Sequence, residues 1–521
     1  MALRQPGSAS HTTIRAVAAQ RETVDDPTVA HTAYGALRGT TEGGVNVWRG
    51  IDYAEQPLGD RRFRAPTPPA PWSGVRDAID HGPLPPQGRS FVGGGRDDPK
   101  VRDEACLTLT VWSPDPDASS MSARAKSVSL PVMVWIPGGA FVYGAGQLQL
   151  YNGSRLAANG NVVVVNVTYR LGVFGGFELG DLGPGFDDNL ALRDQVAALQ
   201  WVRDNIASFG GDADHVTVFG ESAGATSVLA LLASPLADGL FTRAIAQSPA
   251  LPLIADRETR ARQAWTFVER LGVSVDEVKS LPQRRLRRAA GQLQGESAAR
   301  TPTLAYGLTY GVDSLPWHPI DAARKGAVSP IPLIMGTNSH EASMFAWGKP
   351  PMLPTTQPTV DSYFARTAPD ARDRILAAYP DYPRRRALIS LGSDAMFCAP
   401  AWAFADAYSA HAPTYVYRFD HAAWSLKLLG LGATHGSEIV HVQHSYGSYL
   451  GRKVHPLGRR VQPSVGRRMQ KTWLNFATAD LDDDWPRYDA ASRRTRVIRS
   501  ARDDTVADPD AIRRSAWEGL Y

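Results

Sequence analysis

The sequence predicts an α/β protein built on a large, mostly parallel central sheet with helices on both faces. Three observations carry this. Val132–Ile136 and Val162–Val167 are short, almost wholly apolar runs, the pattern of strands covered on both sides. Between Asn189 and Ile206, the residues Leu190, Leu192, Val196, Leu199, Trp201 and Val202 fall on a helical period. The chain then returns through Gly210-Gly211-Asp212 to a third apolar run, Val216–Phe219, followed at once by an Ala-rich stretch that reads as helix. Strand, helix, strand, helix in short succession implies parallel neighbours joined by right-handed crossovers. No internal repeat interrupts the pattern.

Length and composition fit such a core. The chain has 521 residues, 43% of them hydrophobic, and a formal net charge of +4. That length alone suggests several domains, but no Ser- or Pro-rich linker or shift in composition marks a boundary. Residues 29–521 are therefore expected to form one catalytic domain, and residues 1–28 a flexible leader. Arginine runs such as Arg384-Arg385-Arg386 and Arg493-Arg494 are interleaved with acids, the mark of a solvated surface rather than of a nucleic-acid patch. No apolar run is expected to span a membrane. The first 21 residues carry Arg4, His11 and Arg15 without a continuous apolar core, unlike a signal peptide. Two cysteines, Cys106 and Cys398, exclude a disulfide framework. The expected location is the cytoplasm.

The chemistry begins where the third strand ends. Gly220-Glu221-Ser222-Ala223-Gly224 is a G-x-S-x-G pattern at a strand-to-helix turn, the nucleophile elbow. A turn this sharp leaves little room for side chains beside the serine, which is what Gly220 and Gly224 provide. Ser222 is thereby presented at the positive end of the following helix dipole. A helix-capping serine would use the same residue type, so the surrounding sequence must decide between the two.

Acyl transfer passes through a tetrahedral alkoxide that needs N–H donors already in place. Pro137-Gly138-Gly139-Ala140-Phe141 follows directly on the Val132 strand. Glycines there let N–H groups face a cavity without Cβ obstruction. Gly139 and Ala140 are candidate donors, and the residue after the nucleophile, Ala223, supplies another.

These residues carry a resemblance. Residues 209–224, FGGDADHVTVFGESAG, fit the serine signature of the type-B carboxylesterases, the family of cholinesterases and bacterial para-nitrobenzyl esterases within the α/β-hydrolase superfamily. Residues 104–114, EACLTLTVWSP, resemble its second signature. Shorter matches run from Tyr53-Ala54 and Arg62-Phe63-Arg64, through Tyr169-Arg170-Leu171-Gly172, to Met469-Gln470 and Trp485-Pro486. The similarity covers about residues 30–500. It implies an α/β-hydrolase fold whose long excursions form a substrate gorge, and a serine carboxylesterase that needs neither cofactor nor metal. Residues 336–341, GTNSHE, match the segment that ends on the triad acid, so Glu341 is implied as that acid. Residues 432–439, GATHGSEI, match the segment of the base, implying His435. Ser222, Glu341, His435 is the chain order expected of the superfamily. Glu221, Ser248 and Glu438 match supporting positions around the site. Arg62 with Glu104, and Arg170 with Asp194, match structural ion pairs, and His340 falls on a variable position.

The departures are informative too. Where relatives pair the cysteine of the second signature with an upstream cysteine, this chain has Pro85, so Cys106 should be a free, buried thiol. The loop from Gln87 to Arg102 holds Phe91 as its only aromatic, which argues against a quaternary-ammonium site. Pro137 stands where His or Tyr is usual, and Ala140 replaces a third glycine. His441 and Gln443 replace apolar and aromatic residues and should make the lip of the site more polar. His435, His441 and His444 lie close in sequence but lack the carboxylate or Cys partners of a metal cluster. The implied substrate is a small-molecule carboxylic ester, with a lipase or a carbamate or aryl-ester hydrolase on the same triad as the alternative. A non-catalytic, cholinesterase-like interaction protein is the distant one. Neither nucleic acid nor membrane is expected as a partner, and the oligomeric expectation is a monomer or weak homodimer.

Overall fold

The computed structural model describes residues 26–88, 101–115, 129–300, 305–347, 353–457, 463–479, 481 and 484–521. Most of the expected leader, and the loop holding Phe91, lie outside these. The eleven strands of the main sheet, in chain order, are β1 (Thr40–Thr41), β2 (Val45–Asp52), β3 (Thr108–Pro114), β4 (Leu130–Ile136), β5 (Val163–Val167), β6 (Gly211–Glu221), β7 (Arg243–Gln247), β8 (Leu333–Asn338), β9 (Thr414–Phe419), β10 (Arg494–Ile498) and β11 (Asp503–Ala507). Across the sheet they run β11-β10-β9-β8-β7-β6-β4-β5-β3-β2-β1. From β5 to β10 every neighbour is parallel, whereas β1, β2, β3 and β11 pair antiparallel at the two edges.

The fold has the mostly parallel sheet that the apolar runs predicted, in the α/β-hydrolase arrangement that the resemblance implied. Its central strands β4 and β5 are almost wholly apolar because both faces are covered. Alternate residues of β4 divide between two cores: Val132, Val134 and Ile136 join one, and Met133 and Trp135 the other. In β5, Val163, Val165 and Val167 oppose Val164 in the same way. A period-2 alternation of packing partners thus lies beneath an almost wholly apolar run. The antiparallel edges were not legible from the runs, because edge strands such as β11 are mostly half-exposed and polar.

Helix α1 (Ser154–Gly160) connects β4 to β5, α2 (Leu190–Asn205) connects β5 to β6, and α3 (Ala223–Leu232) connects β6 to β7. Every residue of α3 is buried, which is why its sequence is Ala-rich and apolar all round. One further helix, Arg385–Tyr408, is long and apolar enough to cross a membrane, with a mean hydropathy of 1.3 over its most apolar window. The sequence reading had passed over it. Since 83% of that window is buried inside the fold, it is explained as a core helix. Both cysteines are buried and neither is bridged.

The two ion pairs implied by the resemblance are present. Arg62 grips Glu104 through two hydrogen bonds of 2.7 and 2.8 Å. Arg170 grips Asp194 in the same fashion at 2.8 and 2.6 Å, with side chains only 1% and 0% exposed. Arg170 also donates to the Arg64 carbonyl at 2.8 Å, so it ties α2 and the end of β5 to the N-terminal layer. Removing one partner leaves an uncompensated buried charge, which costs about 3–5 kcal/mol. Asp194→Ala should therefore lower the unfolding free energy in urea by that amount. A loss below about 1 kcal/mol would mean that water enters and solvates Arg170.

Candidate active site

The carboxyl ends of the parallel strands gather at one edge of the sheet. Gly220 lies beside Ile136 of β4, Glu221 beside Gln247 of β7, and Gln247 beside Gly336 of β8. Ligand sites of open α/β sheets form at such an edge.

Ser222 sits between β6 and α3 with φ 58° and ψ −123°, a conformation that costs an L-residue of order 1–3 kcal/mol. The surroundings explain why it persists. The Ser222 N–H donates to the Gln247 carbonyl at 2.9 Å, and its own carbonyl accepts from the Thr226 N–H at 2.8 Å. A Cβ on Gly224 would run into the Ile136 carbonyl oxygen, and one on Gly220 would lie 2.6 Å from the Gly224 backbone. The elbow therefore needs glycine at both flanks, as the sequence suggested.

The Gly138–Ala140 turn packs directly on this elbow. A Cβ on Gly138 would strike the Glu221 carbonyl oxygen and lie 3.0 Å from Ser222 Cβ. Gly139, Ala140 and Phe141 all take positive φ, at 121°, 56° and 57°. The turn is pinned by Val142 and Tyr143, whose N–H groups donate to the Gly139 carbonyl at 3.0 and 2.9 Å. Tyr169 holds the Pro137 carbonyl with a hydrogen bond of 2.7 Å. The N–H groups of Gly139, Ala140 and Ala223 donate to no described residue, so three donors at this edge remain available to a ligand.

His435 and Glu341 meet beside the elbow. His435 Nδ1 donates to Glu341 Oε2 at 2.7 Å, and Glu341 Oε1 accepts from the Asn338 N–H at 2.7 Å. Glu341 is fully buried. The opposite ring nitrogen, Nε2, is buried without a hydrogen-bond partner, so the bond from Ser222 is open in this state. Such bonds often tighten only when substrate is bound.

Three carboxylates surround this one imidazole. Glu221 Oε1 lies 3.2 Å from His435 Nε2 and has no hydrogen-bond partner. Glu438 is fully buried and accepts from Gln247 at 3.2 Å and from Asn338 at 2.5 Å. Burial pushes the Glu221 carboxyl well up, against the attraction of His435. Burial works to lower His435, but the charges of Glu221 and then Glu341 outweigh it and hold the imidazole above its ordinary value. Glu221 and His435 therefore titrate as a unit. Ser248 is also brought here: it is fully buried at φ 52°, its Oγ has no partner, and its N–H donates to Gly336.

Several contributors escaped the sequence reading. Trp473 donates to Gln247 Oε1 at 3.0 Å, and Gln247 and Asn338 are the two side chains that hold Glu438. Phe397 and Phe345 pack on the His435 ring with centroids at 4.4 and 5.4 Å. Phe397 stands on a wider π turn, Asp394–Cys398, inside the long helix, a distortion frequent at functional sites. Gln247 and Asn338 are the final residues of β7 and β8, which was a usable signal. Phe397 gave none.

Other expectations are corrected. His441 and Gln443 are each 1% exposed, so they lie in the interior and not on a polar lip. His441 turns away from His435, against Phe419, Tyr446 and other histidines. His340 stays apart from the triad, its Nδ1 3.0 Å from Ser339 Oγ.

Comparison with known proteins shows the family to which the chain belongs. The model of the Carboxylesterase family matches residues 26–509. The para-nitrobenzyl esterase of Bacillus subtilis is 36% identical over 494 residues, covering 91% of this chain and 95% of that protein. The phenmedipham hydrolase of Pseudarthrobacter oxydans is 32% identical, covering 93% and 98%. A solved PNB esterase superposes with a TM-score of 0.82 at 35% identity, covering 94% of this chain and 99% of that one. A Geobacillus stearothermophilus carboxylesterase gives 0.78 at 34%, covering 94% and 100%.

The charge next to Nε2 has a measurable consequence. A negative neighbour favours imidazolium, so Glu221→Gln should lower the pKa of His435 and keep the ring neutral to lower pH. Histidine-selective NMR titration of wild type and variant should show this downward shift. An unmoved resonance would mean that Glu221 is uncharged throughout the titration.

Proposed function

The chain belongs to the carboxylesterase family and hydrolyses carboxylic esters, and we propose that Ser222 is its nucleophile, His435 its general base and acid, and Glu341 the triad acid. The observation that carries this reading is the buried 2.7 Å bond from His435 Nδ1 to Glu341, which leaves Nε2 unpartnered beside a strained serine. Residues 29–521 act as one catalytic domain.

A serine hydroxyl is a poor nucleophile, so His435 Nε2 takes its proton as Oγ attacks the ester carbonyl. Glu341 fixes the tautomer with Nδ1 protonated and stabilises the imidazolium that forms. The carbonyl oxygen becomes an alkoxide and is met by the N–H groups of Gly139, Ala140 and Ala223, each donor contributing about 3 kcal/mol. Collapse of the tetrahedral intermediate expels the alcohol, which leaves with the proton from His435. Water activated by the same imidazole then hydrolyses the acyl-enzyme.

Glu221, Glu438 and Ser248 position the machinery. Glu221 biases the charge of His435 from 3.2 Å, and Glu438 braces the Asn338 segment that carries Glu341. Phe345 and Phe397 make one wall of the site apolar, which suits acyl chains of small to medium size. The relative named for para-nitrobenzyl esters supports benzylic and aryl esters as the alcohol side. Two free, buried cysteines support a cytoplasmic location.

Ser222→Ala should lower kcat on para-nitrophenyl acetate by about 10⁶-fold and abolish fluorophosphonate labelling. Label retained on another serine would overturn the assignment. Glu341→Gln should lower kcat by about 10³–10⁴-fold, with KM little changed, and near-normal turnover would make another carboxylate the acid. Rates over para-nitrophenyl esters of increasing acyl length should peak at short to medium chains. A maximum at long chains would instead favour a lipase.

A further inference from the structure

Behind the reaction site, on the face of the sheet opposite α3, three histidines from separate segments converge. His421 follows β9, His441 lies in helix α4 (Ile439–Val442), and His455 closes helix α5 (Tyr449–Val454). One ring nitrogen from each lies within 4.8 Å of the other two. We infer that this group is a binding site for one divalent transition-metal cation of the zinc type, held by His421, His441 and His455.

The geometry is that of a ligand set. His441 Nε2 and His455 Nε2 are 3.2 Å apart. Two imidazoles bound to zinc at about 2.0–2.1 Å and a tetrahedral angle have their nitrogens about 3.3 Å apart. The ring centroids lie 4.7 Å apart for His441 and His455, 5.1 Å for His421 and His441, and 6.0 Å for His421 and His455, whose planes are nearly parallel. The far nitrogens are already engaged: His441 Nδ1 bonds the Tyr446 hydroxyl at 2.9 Å, and His421 Nδ1 bonds Ser500 Oγ at 2.8 Å. Metal-bound histidines are oriented by such outer partners.

Without a cation the arrangement is poorly satisfied. The two facing Nε2 atoms can share one proton in one hydrogen bond, while His421 Nε2 is buried with no partner. Burying unpaired polar groups is costly, and this core is otherwise built of Phe419, Tyr446 and their apolar neighbours. Metal binds imidazole in its neutral form, which the burial of these rings favours. The nearby positive groups are Lys427 and Arg468, and Arg468 is already paired with Asp503 at 3.0 Å. His444 is excluded from the group, although its position in sequence is nearer to His441 than that of either ligand.

Water would complete the tetrahedral set as the fourth ligand. The site would act as a clamp. His441 follows His435 by six residues on the same segment, so the cation would tie the base-bearing segment to the end of β9 and to α5. The inference does not depend on the roles assigned to Ser222, Glu341 or His435.

Purified protein stripped with chelator, dialysed, and titrated with Co²⁺ should bind one equivalent and develop the intense visible absorption of tetrahedral cobalt. His421→Gln/His455→Gln should lose both, and His444→Gln should keep both. Zn²⁺ should raise the Tm of the wild type but not of the double variant, since a ligand bound only by the native state stabilises it. Fluorophosphonate labelling reports that the double variant is folded. If that variant does not fold, the wild type decides alone: no cobalt spectrum and no Zn²⁺-dependent rise in Tm overturns the site. So does uptake that the double variant retains in full.

Discussion

The constraint on which the rest of this protein depends is the close approach of three backbone segments at the carboxyl edge of the sheet. The end of β4, the turn from β6 into α3, and the start of α3 lie closer together than any side chain would permit at Gly138, Gly220 or Gly224. That contact fixes Ser222 at φ 58° and at the same time sets the Gly139–Ala140 N–H groups beside it. Ser222 and the N–H groups of Gly139 and Ala140 are thus one packing unit. The strain at Ser222 is held by β6 and β7 hydrogen-bonded along their length and by the fully buried α3, so it does not relax when the site is empty.

Charge is the second constraint, and it is managed by the same edge. Glu221, Glu341 and Glu438 are all buried around His435. Glu341 and Glu438 take partners from strand ends: Gln247 from β7, and the Asn338 side chain and N–H from β8, whereas Glu221 faces His435 Nε2 at 3.2 Å. Trp473, on the helix Ser464–Thr478, fixes Gln247 from below. Preorganised dipoles here replace the hydration that burial removes, and that is what lets an imidazole with acidic neighbours keep one nitrogen free for chemistry.

Much of this was legible in the sequence, for reasons that can be named. Val132–Ile136 and Val162–Val167 announced doubly covered strands because they are almost wholly apolar, with only Asn166 polar among them. Gly220 and Gly224 were visible because only glycine fits a contact between backbones. Glu341 and His435 had no such local mark. A lone glutamate or histidine satisfies no periodicity, and these two became legible only through the resemblance of GTNSHE and GATHGSEI to longer segments. What stayed hidden depends on tertiary contact alone. Phe397 reaches His435 from a π turn that no pattern of residues announces. His441 reads as part of a polar lip because it follows the His435 segment at a position where relatives carry an apolar residue, yet it is 1% exposed and packs inward. Its true companions, His421 and His455, are brought to it by β9 and α5.

Polar groups interrupt both cores. The core on the α3 side of the sheet carries the elbow and includes Tyr53, Tyr169 and Trp201, and the other includes Trp473 and Tyr446. A polar group in a core must be satisfied by a partner whose position is fixed, so each such exception demands a particular geometry of the segments around it. Segment 432–445 is bound in this way from both ends, through Thr434, whose Oγ1 accepts from Ser343 at 2.8 Å, and through His441 to Tyr446 at 2.9 Å. It is also the segment that carries His435. The general base proposed here cannot sit on a mobile loop, and the polar contacts on both sides of it are what hold this stretch of chain in place.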